Sequence, residues 1–263
     1  MKKVVLVLLA TGAAMVSCKN EPARNTKPQD VAPDESTNKE IALNSDSPIA
    51  DNSAAYLYVT ARNGLSLRAF ENLQSKRLAK MPYGTRIRVI APEDRPTMTV
   101  GGISGGMHQV EFNHKTGYAF SGYLSRYFPP EPDITVEGYA NELRQHFPDV
   151  RYEKLAGDSV SEPETNEMIS LPNATWHEAF FVAQQLFDFP KEFDFPNESG
   201  PLTQIFQDSK PKDGYWTSQL EVTRDENGLA SIAYRYEGQK FKSLVEILPS
   251  DGTMVLKRTE TIK

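Results

Sequence analysis

The chain reads as mainly β: a small β-barrel followed by an α+β domain in which helices cover a four-stranded antiparallel meander. Three observations predict this. Short runs of β-forming residues recur between turn signals over residues 55–129. Longer runs of period two, joined by tight turns, fill the C-terminal quarter. Between them Thr175-Trp176-His177-Glu178 has the Thr-x-x-Glu form of a capping box and opens an amphipathic helix.

In the first region, residues 56–61 carry β-formers with partial alternation, and Arg62-Asn63-Gly64 turns the chain into the alternating Leu65-Ser66-Leu67-Arg68. Met81-Pro82-Tyr83-Gly84 turns again. The strand 86–90 follows, with Ile87 and Val89 on one face. Residues 107–112 make another strand, His114-Lys115-Thr116-Gly117 a turn, and Tyr118-Ala119-Phe120 the last strand. An insertion over 91–106 lengthens one hairpin. Its glycine run lacks the Gly-Lys-Ser/Thr ending of a phosphate loop, and no helix pattern follows, so it reads as a flexible hairpin tip.

Phe128-Pro129-Pro130-Glu131-Pro132 marks a stiff boundary. Beyond it, residues 136–147 place Tyr139, Leu143 and Phe147 at helical spacing and stop before Pro148. The capping-box helix sets Trp176, Ala179, Phe180, Ala183 and Phe187 on one face, with His177 expected to be exposed. Phe187-Asp188-Phe189-Pro190 is repeated as Phe193-Asp194-Phe195-Pro196, which reads as a loop pinned by its rings. The alternative is an aromatic binding edge. Its acidic residues lack the Asp-x-Asp-x-Asp-Gly spacing of a calcium loop, and no metal is expected. The meander follows: Trp216, Ser218, Leu220 and Val222 on one face, then Ile232, Tyr234 and Tyr236, then Phe241, Val245 and Ile247, then residues 254–261. Its turns fall at Asp225-Glu226-Asn227-Gly228, Glu237-Gly238 and Asp251-Gly252.

The N-terminus is of another kind. Lys2 and Lys3 precede an apolar run over 4–10 that is too short to span a bilayer. The run leads to Met15-Val16-Ser17-Cys18, which resembles the lipobox of bacterial lipoproteins. That resemblance implies a signal peptide over 1–17, cleavage before Cys18, acylation there with palmitate-type chains, and attachment to a membrane. Cys18 is the only cysteine in the chain, which suits a lipid attachment point. Lys19 stands where an inner-membrane retention Asp would, so the outer membrane is favoured if the cell has one. Residues 18–54 are polar, rich in Pro and without an aromatic, and read as a disordered tether about 30 Å in mean reach.

Over residues 55–129 a second resemblance is carried by order and spacing. Tyr58-Val59-Thr60-Ala61, Gly64-Leu65-Ser66-Leu67-Arg68, Pro82-Tyr83-Gly84-Thr85-Arg86-Ile87-Arg88-Val89-Ile90, Gln109-Val110, Lys115-Thr116-Gly117-Tyr118 and Gly122-Tyr123-Leu124 together look like a bacterial SH3 (SH3b) domain. Ala69-Phe70 stands where the family has Gly-Pro, and His108 and Tyr118 where it favours Trp. The resemblance implies an SH3-like barrel that binds and does not catalyse, with cell-wall peptides or envelope proteins as partners. Tyr58, Arg68, His108, Tyr118 and Tyr123 are its candidate groove residues, and each of the rings can equally be barrel core. Residues 130–263 resemble no family.

Charge separates the two regions. Residues 55–129 hold ten Lys/Arg and four Asp/Glu, a net of +6, and residues 130–263 hold thirteen and twenty-four, a net of −11. Such a contrast suggests two domains that attract one another or meet different partners. For an exported protein nucleic acid is set aside as a partner. With Cys18 committed to lipid no thiol nucleophile remains. The four histidines (His108, His114, His146 and His177) are scattered without a His-Glu-x-x-His motif, so no enzyme and no cofactor is expected. The expected function is a non-catalytic envelope lipoprotein that binds wall peptide or an envelope protein. The alternatives are an assembly subunit of an envelope complex and a wall hydrolase acting through carboxylates.

Overall fold

The computed structural model describes residues 55–157 and 163–263. Cys18, the expected signal peptide and the expected tether lie outside them. The described residues belong to one compact unit and are mainly β.

Its first half begins with β1 (Tyr56–Val59), β2 (Leu65–Arg68), β3 (Arg77–Met81) and β4 (Arg86–Ala91). A short hairpin follows, β5 (Met98–Val100) and β6 (Ile103–Gly105), then β7 (Met107–Phe112), β8 (Lys115–Phe120) and the two-residue β9 (Leu124–Ser125). Apart from the hairpin, these strands form one antiparallel sheet in the order β3-β2-β8-β7-β4-β1-β9. The expected closed barrel is not formed: the ladder ends at β3 and β9, which do not pair. Local causes are visible. β2 meets β8 at the single register pair Arg68 and Tyr118, beside a bulge between Leu67 and Arg68. A second irregularity lies between Val89 and Ala91, and β9 is too short to extend the ladder. Such bulges bend a sheet sharply. It therefore curls over Val59, Leu67, Met81, Ile87, Val110 and Leu124 without closing. Gly117 permits the tight crossing, because a Cβ there would lie 2.5 Å from the Arg68 carbonyl oxygen. The turn expected at 114–117 falls instead at Asn113 and His114, both at positive φ, and β8 starts directly after them.

The insertion is not a flexible tip. Gly101 and Gly102, at φ 57° and 79°, close a two-residue turn that only glycine adopts easily. The hairpin becomes an arm, and Ile103, 1% exposed, is seated in the hydrophobic core of the second half. At its base the Glu93 N–H donates to His108 Nδ1 at 2.9 Å, and the Gly106 N–H donates to Ser121 Oγ at 2.9 Å.

The second half runs α1 (Val136–Leu143), β10 (Arg151–Ala156), β11 (Glu164–Pro172), α2 (Trp176–Leu186) and β12 (Thr203–Gln207). It closes with β13 (Tyr215–Asp225), β14 (Gly228–Gly238), β15 (Phe241–Ser250) and β16 (Thr253–Ile262). The last four are the expected meander. It is widened to seven strands, in the order β10-β11-β16-β15-β14-β13-β12. Leu220, Val222, Ile232, Val245, Ile247 and Leu256 line its inner face, and α2 lies across β15 and β16 with Ala179, Phe180 and Ala183 turned inward. Each such large side chain contributes about 1.5–3 kcal/mol on burial. The capping box closes as expected, the Thr175 N–H donating to Glu178 Oε2 at 2.9 Å. Helix α1 stops at Leu143, short of Phe147, as Arg144 turns its Nε back to the Val150 carbonyl at 3.0 Å.

Trp216 departs from its expected place. A bulge between Tyr215 and Thr217 turns Trp216 outward, 59% exposed, while Tyr215 takes the inner position, stacked on Tyr236 at 5.4 Å. His177 is not exposed either; it is half-buried, edge-on to Phe195 at 6.3 Å.

Polar and apolar contacts fasten the two halves. Glu178, 5% exposed, accepts from Ser125 Oγ and the Arg126 N–H, each at 2.9 Å. Tyr127 donates to the Pro172 carbonyl at 2.6 Å, and Tyr139 to that of Phe128 at 2.7 Å. Two substitutions test this joint by urea unfolding. Ile103→Ala lowers stability by about 2–4 kcal/mol through the cavity it leaves. Glu178→Gln costs about 2–4 kcal/mol, because its amide turns donors toward donors. If the arm or the joint were peripheral, both midpoints would stay at the wild-type value.

Candidate functional site

The turn after β1, the arm, the short helical turn at Ser121–Tyr123 and α2 converge on the doubled Phe-Asp-Phe-Pro loop. Inward rings fix that loop. Phe189 and Phe193 pack on Tyr234 at 4.7 and 5.9 Å, and Phe195 meets Phe180 at 5.6 Å. Gln184 Nε2 holds its backbone from below, donating to the carbonyls of Pro190 and Phe193, each at 3.0 Å. The alternating sequence thus buries Phe187, Phe189, Phe193 and Phe195 and leaves Asp188 and Asp194 in solvent, as a loop pinned by its rings requires.

Between this loop and the first half lies a cleft of about 450 Å³. Tyr123, Phe181 and Phe193 give it aromatic walls, and Arg62, Lys191 and Asp194 give it charges of both signs. Arg62 Nη1 donates to the Lys191 carbonyl at 3.0 Å, which ties the β1–β2 turn to the loop. Burial lowers the Arg62 pKa, opposed by Tyr83, Asp194 and Glu192. Burial raises that of Tyr123, and the Asp194 carboxylate adds to the rise. Two further hollows adjoin. One of about 500 Å³ shares Gly101, Phe193, Asp194 and Phe195 with the cleft, and one of about 170 Å³ shares Ala61, Gly64 and Tyr123. Rigid aromatic walls with a cation and an anion at the rim suit an extended polar chain better than a compact apolar ligand.

The five candidate groove residues do not share one surface. Arg68 and Tyr123 line the 170 Å³ hollow, and Tyr118 stands opposite Arg68 in the ladder. The Arg68 guanidinium is engaged, donating to the Ser75 carbonyl at 2.8 Å. Tyr58 instead packs edge-on to Phe128 at 5.9 Å, within the joint between the halves. His108 holds the base of the arm. Of the five only Tyr123 reaches the cleft. Arg62 and Asp194 were not candidates: one was visible only as part of a turn, the other only as part of a short repeat. Gly102-Ile103-Ser104-Gly105-Gly106 also has the Gly-x-Ser-x-Gly spelling of a nucleophile elbow. Here it crosses a hairpin turn into β6 instead of linking a strand to a helix, and Ser104 is exposed with its Oγ 3.4 Å from Thr99 Oγ1. Among the described residues no group of three or more His, Cys, Asp or Glu is placed to hold a metal ion. No helix among them is long and apolar enough to cross a membrane.

Comparison with protein-family models, with curated proteins and with solved structures gave no match.

His108 makes the arm sensitive to acid. Its Nδ1 accepts a hydrogen bond, so it must be unprotonated, and burial lowers its pKa below the ordinary 6.5 against the pull of Glu93 and Asp94. The unfolded chain then binds the proton more readily. This contribution to stability is complete above 6.5 and is lost as the pH falls toward the lowered folded value. His177, also lowered by burial, adds a slope of the same sign. The expected result is a urea midpoint that falls on acidification, with a shallower slope in His108→Asn, whose Oδ1 keeps an acceptor at the Nδ1 position without titrating. Identical slopes in the two proteins would remove His108 from the account.

Proposed function

We propose that the protein is a non-catalytic lipoprotein of the cell envelope that uses the cleft at Tyr123 to bind cell-wall peptide. The signal peptide over 1–17 exports the chain, and lipid on Cys18 holds it on a membrane, the outer one where the cell has one. The first half is read as an SH3b-like module. The SH3b-like stretches support this reading by falling on consecutive pieces of one curved sheet: β2, β4, β7, β8 and the turn into β9. One observation carries the ligand class. Arg62 and Asp194 stand on the rim of an aromatic-walled cleft, and a short peptide with free carboxylates and amines presents the complementary charges. A specific feature favours assembly into an envelope complex as the second reading. β12 ends its sheet, and Ile205 and Phe206 are exposed on it, as on a strand edge that accepts another chain.

Two measurements test this. Metabolic acyl labelling of the wild type and Cys18→Ala is expected to mark only the wild type; label persisting in the variant would sink the anchor. Purified protein is expected to retain wall stem peptides, and Arg62→Ala and Asp194→Ala each to weaken retention about tenfold, the size of one charge-assisted hydrogen bond. Unchanged retention in both variants moves the site elsewhere. Turnover of wall material in a zymogram would overturn the non-catalytic reading, and stable capture of one envelope protein without peptide binding would favour the second.

A further inference from the structure

The outer face of the second sheet, opposite α2, is built differently from a merely solvated face. Glu164, Thr261, Lys242, Glu237 and Thr217 stand in one register line across β11, β16, β15, β14 and β13. A second line beside it carries Thr259, Leu244 and Arg235. Together they line a groove of about 450 Å³. Its charges cancel, two cations against two carboxylates, and they are engaged with protein groups. Arg235 pairs with Glu221 at 3.0 Å, and Glu237 pairs with Lys263. Hydroxyls fill the spaces, Thr261 being only 5% exposed, and Leu244 gives the floor a small apolar spot.

At the end of this groove stands Trp216. The bulge sets both Trp216 and Thr217 against Glu237, so the indole lies on the outer face beside a groove residue. It is 59% exposed, with the Lys263 ammonium 4.7 Å from the ring centre. Its indole is hydrogen-bonded to the Glu237 side chain, while Tyr215 fills the inner position. The bulge thus sets an exposed indole on the same side of the sheet as the groove, next to the groove residues Thr217 and Glu237.

From these features we infer that the outer face binds a neutral oligosaccharide, a sugar ring stacking on Trp216 and the next residues of the chain lying along the groove. The chemistry matches part by part. The C–H face of a pyranose is apolar and flat enough for an indole. Its hydroxyls both donate and accept, as do the threonines. A lining without net charge has no preference for an ionic ligand. The inference does not rest on the peptide reading of the cleft, which lies against the first half of the unit.

The test uses the purified full-length chain with chitotetraose, cellotetraose and maltotetraose. Heat of binding is measured by titration calorimetry, and indole emission is followed in a Trp176→Phe background, where Trp216 is the only tryptophan. At least one tetraose is expected to bind saturably and shift the emission. Trp216→Ala is expected to weaken that binding about tenfold, the loss of one aromatic stacking contact. Glu237→Gln is expected to weaken it as well, and Arg62→Ala in the cleft to leave it unchanged. No saturable heat from any tetraose at millimolar concentration overturns the inference. So does undiminished affinity in Trp216→Ala, or a charged peptide bound at this face in place of sugar.

Discussion

The fold turns on one buried carboxylate. Glu178 sits in the first turn of α2, and its two oxygens serve different masters. Oε2 accepts the Thr175 N–H and hydroxyl and closes the helix start, while Oε1 accepts Ser125 Oγ and the Arg126 N–H at the end of the first sheet. A buried carboxylate missing any of these donors would cost several kcal/mol, so the helix cap and the strand end are obliged to stay together. Ser125 passes the constraint on, because its Oγ also accepts the Tyr127 N–H, and Tyr127 is bonded in turn to the Pro172 carbonyl. The chain on either side of the stiff boundary at 128–132 is therefore joined in a continuous core. Tyr58, Phe128 and Tyr139 carry it across in a chain of edge-on rings.

The cleft inherits its shape from that joint. Tyr123 lies just before β9, whose position Glu178 fixes, and its ring packs between Phe120 of the first half and Phe181 of α2. The arm fastens the other side with Ile103, and Arg62 reaches the loop from the first turn. Three attachments, widely separated in the chain, converge on one hollow. A site assembled this way is held at a fixed width by packing.

Legibility in the sequence followed the range of the interactions. The meander and α2 were readable because alternation and a capping box are local signals, each complete within about a dozen residues. β10 was not, because its side chains are nearly all exposed, half of them charged, and it pairs only with β11. Short edge strands such as β12 carry no inward stripe long enough to register. The Trp216 bulge hid inside a perfect alternation: Trp216, Ser218, Leu220 and Val222 keep period two, and only the inner claim of Tyr215 displaces the first of them. The cleft was beyond reach for a different reason. Arg62 and Lys191 meet across 129 residues of chain, and no periodicity encodes that meeting.

The charge contrast along the chain also takes a different meaning from the one expected of it. The contacts that fasten the halves are hydrogen bonds to backbone groups, one buried carboxylate, edge-on rings and the seated Ile103, and among the first half's charged side chains the Arg62 guanidinium joins them by a hydrogen bond to the Lys191 carbonyl. Most of its cations are left on its surface: Arg77, Lys80, Arg86, Arg88 and Lys115 stand exposed on its strands. Buried polar contacts give the docking its geometry, and exposed charge acts over about a Debye length on whatever lies outside. Separation of these two tasks explains how an acidic half and a basic half share one compact unit while presenting fields of opposite sign to their surroundings. The cleft, with both signs at its rim, lies where the two fields meet.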